Sequence, residues 1–199
     1  QALIDQAADM LTAADYPLLL TEFAARAPIG YAPTVALAEA AGAAVFDINK
    51  RLGFPNRHKL SVGFHDDAFV GADLVAALDV VDWTRGSHKL NRQTREIEQI
   101  VSHDCKWIDV GFADIEISKW ATDYNKHNDW DLRILADTAN AIPALTEAVI
   151  RRAESDTALA RRIEERKQTV AAKHEAQWAD WQQEVADEWD EMPMRESRL

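Results

Sequence analysis

Residues 43–63 read AAVFDINKRLGFPNRHKLSVG, an apolar run that passes into a polar loop. The run is short and contains β-branched Val45 and Ile48, which suits a strand buried on both faces. Gly53 and Phe54-Pro55 break regular structure just past its C-terminal end, and His58 and Gly63 follow in the same loop. A polar loop at the carboxyl end of a buried strand is where open α/β sheets place ligands.

The flanking sequence repeats the same alternation. Residues 1–14 read as a helix with Leu3, Ala7, Met10 and Leu11 on one face. Tyr16-Pro17 ends that bias, and 18–21 is a fully apolar run that we expect to be the first strand. A loop at 22–32 leads to a helix at 33–41, with proline in its first turn and Gly42 as its stop. Downstream, the expected elements are a short helix at 66–70, a strand at 74–78, helical turns at 95–101 and a strand at 106–110. A short element at 115–120, a strand at 132–135 and a helix at 138–153 capped by Asp137 complete the set. Strands apolar throughout and alternating with helices imply an α/β fold. We expect a three-layer α/β/α domain with a mainly parallel, Rossmann-like sheet of five or six strands.

Residues 155–191 differ in kind. Leu159, Ile163, Val170, His174, Trp178, Trp181, Val185 and Trp189 recur mostly at helical steps among charged or small residues. A sheet domain does not need such a helix for its core. The expectation is therefore a domain over 1–153 and a helical linker over 154–199 that docks on something else. With its tryptophan stripe uncovered, the isolated chain is expected to self-associate as a symmetric dimer.

Composition narrows the function. The chain has 199 residues, 47% of them apolar, and no run approaches the roughly 20 apolar residues of a membrane helix. Its 34 acidic and 22 basic residues give a net charge of −12, which argues against nucleic acid or an anionic membrane as partner. One cysteine cannot form an intrachain disulfide, and the N-terminus lacks a basic segment followed by an apolar one, so a cytoplasmic home is expected.

Four segments in order carry a family resemblance. The 43–63 loop with Leu60-Ser61-Val62-Gly63-Phe64-His65 and Ala72-Asp73-Leu74-Val75 comes first. Lys106-Trp107-Ile108-Asp109-Val110 with Asp114-Ile115-Glu116-Ile117 follows, and then Ile134-Leu135-Ala136-Asp137 with Ala144-Leu145. Together they resemble the central domain of thiamine-diphosphate enzymes of the acetolactate synthase and benzoylformate decarboxylase type. The resemblance covers about residues 16–152. It implies the scaffold domain of a 2-oxo acid decarboxylase or carboligase, with a helical linker toward a diphosphate-binding domain. The catalytic glutamate of the pyrimidine-binding domain and the Gly-Asp-Gly to Asn metal motif are not in this sequence. With no starting methionine either, we expect a fragment, inactive alone, whose parent enzyme uses thiamine diphosphate and Mg²⁺. Its partners would be the other domains and subunits of a homodimer or homotetramer.

The resemblance also suggests loop contacts from His58 and His65 in the intact enzyme. Some members hold FAD or ADP in this domain through a glycine-rich turn after the first strand and a glycine after the third. Here residues 21–26 and Asp79 replace those glycines, so FAD is not expected. The alternatives are a free-standing FAD-, ADP- or NAD-binding module of the same fold, as in deoxyhypusine synthase-like domains, or an interaction domain. No residue is nominated as catalytic and none as a metal ligand. His103-Asp104-Cys105 invites a nucleophile or metal reading, but a lone cysteine before a strand is more often a small buried residue. Asp79 with Asp82 lacks a third ligand, and tryptophans at helical spacing are more often packing anchors than stacking platforms.

Overall fold

The computed structural model describes residues 1–26, 28–48, 52–63, 67–81, 83–112, 129–187 and 189. Five strands, β1 (Pro17–Thr21), β2 (Ala44–Asp47), β3 (Leu74–Leu78), β6 (Lys106–Val110) and β7 (Leu132–Ile134), form one parallel sheet in the order β2-β1-β3-β6-β7. A small antiparallel ribbon pairs β4 (His88–Leu90) with β5 (Ile97–Gln99). The helices are α1 (Ala2–Ala13), α2 (Ala32–Ala41), the single turn α3 (Thr84–Ser87), α4 (Thr138–Ser155) and α5 (Thr157–Asp187). The domain is α/β and Rossmann-like, as the alternation of apolar runs implies.

Every residue of β1 and β3 is buried, which requires cover on both faces of the sheet. Part of that cover is helical: α1 lies against β7, and α4 packs against both α1 and α2. In α1 the buried residues Ile4, Ala7, Ala8 and Leu11 follow helical spacing. At the end of α2, Gly42 takes the left-handed conformation with φ 62°, and the Ala43 N–H reaches back to the Ala38 carbonyl at 3.0 Å. That six-to-one bond is the Schellman stop, and it turns the chain directly into β2. The Asp137 carboxylate accepts from the Ala139 N–H at 2.9 Å and starts α4 as its sequence position predicts.

Two local expectations are corrected. The predicted helical turns at 95–101 are instead strand β5: Arg95 has φ 62°, which no helix continues through, and Leu90 pairs with Ile97 across the turn. Residues 67–70 form a turn closed by Val70 N–H to Asp67 O at 2.9 Å, not a helix. The element predicted at 115–120 lies outside the described residues.

The long helix also departs from expectation over its first part. It buries Leu159, Ile163, Val170 and His174, together with the side chain of Arg166. The Arg166 guanidinium donates to the carbonyls of Leu11, Thr12 and Ala14 at the end of α1, and to Ala41 O at the end of α2. Those carbonyls include groups that a helix C-terminus leaves without intrahelical partners, at the negative end of its dipole. Burial lowers the Arg166 pKa, with a smaller contribution from neighbouring Arg162. At Gly42 a Cβ would lie 2.5 Å from the Ile163 carbonyl oxygen, so the bare glycine lets the two backbones meet. Farther along, His174 Nδ1 lies 2.9 Å from Ser61 O, Lys173 pairs with Asp67 at 2.9 Å, and the Arg57 guanidinium sits 3.8 Å over the Trp178 ring. From Thr157 to Trp178 the helix docks on the sheet domain of its own chain.

Candidate functional site

In the order β2-β1-β3-β6-β7, the connections leave β1 in opposite directions, which makes the carboxyl ends of β1 and β3 the switch point where such sheets bind ligands. Here the chain laces that crevice shut. The Glu22 carboxylate, buried just after β1, accepts from the Val81 N–H at 2.9 Å, and the Phe23 N–H donates to Asp79 O at 3.2 Å.

Asp79 itself follows β3 in the left-handed conformation, φ 49°, with no exposed surface. Its carboxylate accepts from the Thr138 hydroxyl at 2.5 Å and the Phe112 N–H at 3.0 Å, and it pairs with Arg26 at 3.2 Å. Thr138 opens α4, so these donors sit where a helix start favours negative charge. A Cβ at Gly111 would overlap Asp79 Oδ1, so glycine at that position gives the carboxylate room. Hydroxyl, amide and guanidinium are the set that an incoming anionic group would need, and Asp79 already occupies them. A diphosphate placed there would meet a fixed negative charge.

A second concavity of about 250 Å³ lies at the end of β2, lined by residues including Tyr31, Asp47, Phe54, Ser61 and Gly63. The organising loop of residues 43–63 builds it. The Gly53 N–H donates to Asp47 Oδ2 at 3.2 Å, and a Cβ on Gly53 would lie 2.8 Å from Thr21 Oγ1. Thr21 buries that hydroxyl without a hydrogen-bond partner among the described residues. His58 is in this loop but does not line the concavity. Its Nδ1 accepts from the Leu60 N–H at 3.2 Å, which leaves the proton on Nε2, 3.4 Å from Glu39, while the ring stands edge-on to Phe54. The structure thus places His58 as a pin within the loop. His65 and Asp82 lie outside the described residues.

At the opposite, amino edge of the sheet, Cys105 is buried, and burial with the nearby Asp73 charge pushes its thiol up to about 12. At neutral pH it is a protonated packing residue, not a nucleophile. Beside it Asp131 accepts from the Trp107 N–H at 2.8 Å and from Lys106 Nζ at 2.9 Å. Burial works to raise the Asp131 pKa, but these bonds outweigh it and hold the carboxyl below its usual range. Trp83, Trp107 and Trp130 meet edge to face, with centroids 4.7 to 6.1 Å apart. Neither the tryptophan cluster nor the Arg26–Asp79–Thr138 group was anticipated as a unit, since each joins residues far apart in sequence. Among the described residues no group of three or more His, Cys, Asp or Glu side chains could hold a metal ion, and no helix is long and apolar enough to cross a membrane.

No family model matches the chain, and no curated protein matches it in sequence. Solved structures do. One is described as a thiamin diphosphate-dependent enzyme isolated from Mycobacterium smegmatis, with 18% identity and a TM-score of 0.51, covering 73% of this chain and 27% of that one. Another is a thiamine diphosphate-dependent 4-hydroxybenzoylformate decarboxylase from Rhodococcus jostii RHA1, with 19% identity, a TM-score of 0.51 and the same two coverages, 73% and 27%. At these identities the likeness is one of fold, and the chain spans about a quarter of the length of either enzyme.

Proposed function

We propose that this chain is the central scaffold domain of a thiamine-diphosphate-dependent enzyme that decarboxylates a 2-oxo acid or joins two carbonyl compounds. One observation carries the reading. The fold matches over 73% of this chain and 27% of each of two proteins described as thiamine diphosphate-dependent enzymes, and the four sequence segments resemble that family's central domain in their order. On this reading 1–153 is the sheet domain and 154–199 runs on toward a diphosphate-binding domain, its first part packed on the sheet domain. The partners are the other domains and subunits of a cytoplasmic homodimer or homotetramer.

The described residues do not fit thiamine diphosphate or Mg²⁺. They offer no metal-ligand cluster, and the anion-favouring start of α4 is taken by Asp79. No catalytic step is therefore assigned to them. Their part is to hold a rigid sheet between the domains that bind cofactor.

The gene on either side of this segment tests the assignment. A glutamate in a pyrimidine-domain context upstream and a Gly-Asp-Gly to Asn motif downstream are expected, and unrelated sequence on both sides would sink it. For the chain alone, calorimetry should detect no saturable binding of thiamine diphosphate with Mg²⁺. ADP should leave the melting temperature unchanged, whereas a nucleotide module would be stabilised by its ligand.

A further inference from the structure

At its C-terminal end the organising loop runs as a short strip along β2, the end strand of the sheet. Val45 N–H donates to Leu60 O at 2.8 Å, Val62 N–H returns to Val45 O at 2.8 Å, and Val45 pairs with Ser61 in parallel. Two histidines hold this strip from different elements. On α5, His174 Nδ1 lies 2.9 Å from Ser61 O and donates to it. Within the loop, His58 Nδ1 accepts from Leu60 N–H at 3.2 Å. The two bonds answer a proton differently, because a carbonyl accepts from His174 whether that ring is neutral or charged, whereas the Leu60 bond exists only while His58 Nδ1 is bare.

We propose that His58 is a proton-sensitive pin: a proton on Nδ1 frees the strip of residues 60–62 from His58 and loosens the concavity at the end of β2. That proton sets two donors, Nδ1–H and Leu60 N–H, against each other. Leu60 has no exposed surface through which water could replace the lost acceptor. The concavity is tied to the pin through two of its walls. Phe54 takes the His58 ring edge-on at 5.0 Å, and Ser61 follows directly on Leu60.

One acidic group faces the ring and opposes this effect. Glu39, from α2, lies 3.4 Å from His58 Nε2 and favours the imidazolium. Its side chain is 51% exposed, so water screens that attraction, while the amide bond that protonation breaks is fully buried. The cations that flank His58 in sequence disfavour the imidazolium: Arg57 is held over the Trp178 ring of α5 at 3.8 Å, and Lys59 is exposed. From α5, Lys173 pairs with Asp67 at 2.9 Å, and His174 keeps its bond to Ser61 O when charged. Loosening therefore takes up a proton at His58 and grows as pH falls from about 8 to about 5. This inference does not depend on the thiamine-diphosphate reading.

Amide hydrogen exchange of the full chain, read as protection factors at about pH 8 and about pH 5, tests the pin. The Leu60 amide should lose about tenfold or more in protection in acid, while the amides of β1 and β3 keep theirs. His58→Asn sets a non-titrating carbonyl oxygen where Nδ1 sits, and its Leu60 amide should be equally protected at both pH values. Glu39→Gln removes the charge that favours the imidazolium and should deepen the loss in acid without changing protection at about pH 8. A Leu60 amide as protected in acid as at neutral pH overturns the proposal, as does an equal loss in the parent and in His58→Asn. A loss that β1 and β3 share also overturns it, since acid then acts on the whole fold.

Discussion

Between Thr157 and Trp178, α5 sinks Leu159, Ile163, Val170 and His174 into the sheet domain, whereas beyond Trp178 the same stripe leaves Trp181 at 42% exposure. The apolar periodicity is no weaker in the second part. What differs is the receiving surface. The first part meets the bare backbone of Gly42, the open carbonyls that end α1 and α2, and the Ser61 carbonyl. Trp181 and Val185 have no comparable hydrogen-bonded seat among the described residues of this chain. A stripe states that a face needs cover; complementary polar groups decide what covers it.

The largest effects should come from breaking the seat. Arg166→Ala removes the donor to four carbonyls in a buried position and should lower stability by about 3–5 kcal/mol in urea unfolding. Gly42→Ala should cost about 2 kcal/mol or more, from a left-handed φ of 62° and overlap with the Ile163 carbonyl. If both variants unfold at the parent's midpoint, the helix is not held by this seat.

A smaller, pH-dependent effect is expected at the amino edge of the sheet, where Asp131 braces β6. Its carboxyl is held below its usual range, so the stability it adds is complete above the unfolded carboxylate pKa and is lost as pH falls through the folded value. Asp131→Asn should lower the melting temperature at neutral pH, and the gap to the parent should close in acid. A gap that persists in acid would mean that Asp131 acts through packing and not through its charge. The smallest effect belongs to the exposed stripe. Trp181→Ala should change stability by no more than about 0.5 kcal/mol, and a larger loss would show that the distal helix has a seat in its own chain.

These contrasts also mark what the sequence discloses. Strands β1, β2 and β3 were legible as short, mostly apolar runs closed by a turn signal, as in 43–63 or 74–78, whereas β6 and β7 carry Asp109 and Arg133 among their apolar residues. Strand β5 was not legible, because Ile97-Glu98-Gln99 is short and mostly polar and is defined by its partner β4. For the candidate site, Asp79 was legible as a carboxylate where a glycine would suit a nucleotide. Its partners Arg26, Phe112 and Thr138 were not, since they come from two loops and a helix start far apart in sequence. Arg166 did leave a signal: it is a charged residue at a stripe position between Ile163 and Val170. A cation on an apolar face implies a cluster of acceptors opposite, and two helix C-termini supply it.

The most direct test of this account compares two shortened chains, residues 1–153 and 1–179, with the full 199 residues by urea unfolding. The account predicts that 1–179 stays within about 0.5 kcal/mol of the full chain. Residues 1–153 should lose at least about 3 kcal/mol, because Leu159, Ile163 and Val170 are each worth about 1.5–3 kcal/mol when buried. A 1–153 chain as stable as the full protein would contradict it and would make all of α5 a connector with no place in the domain's core.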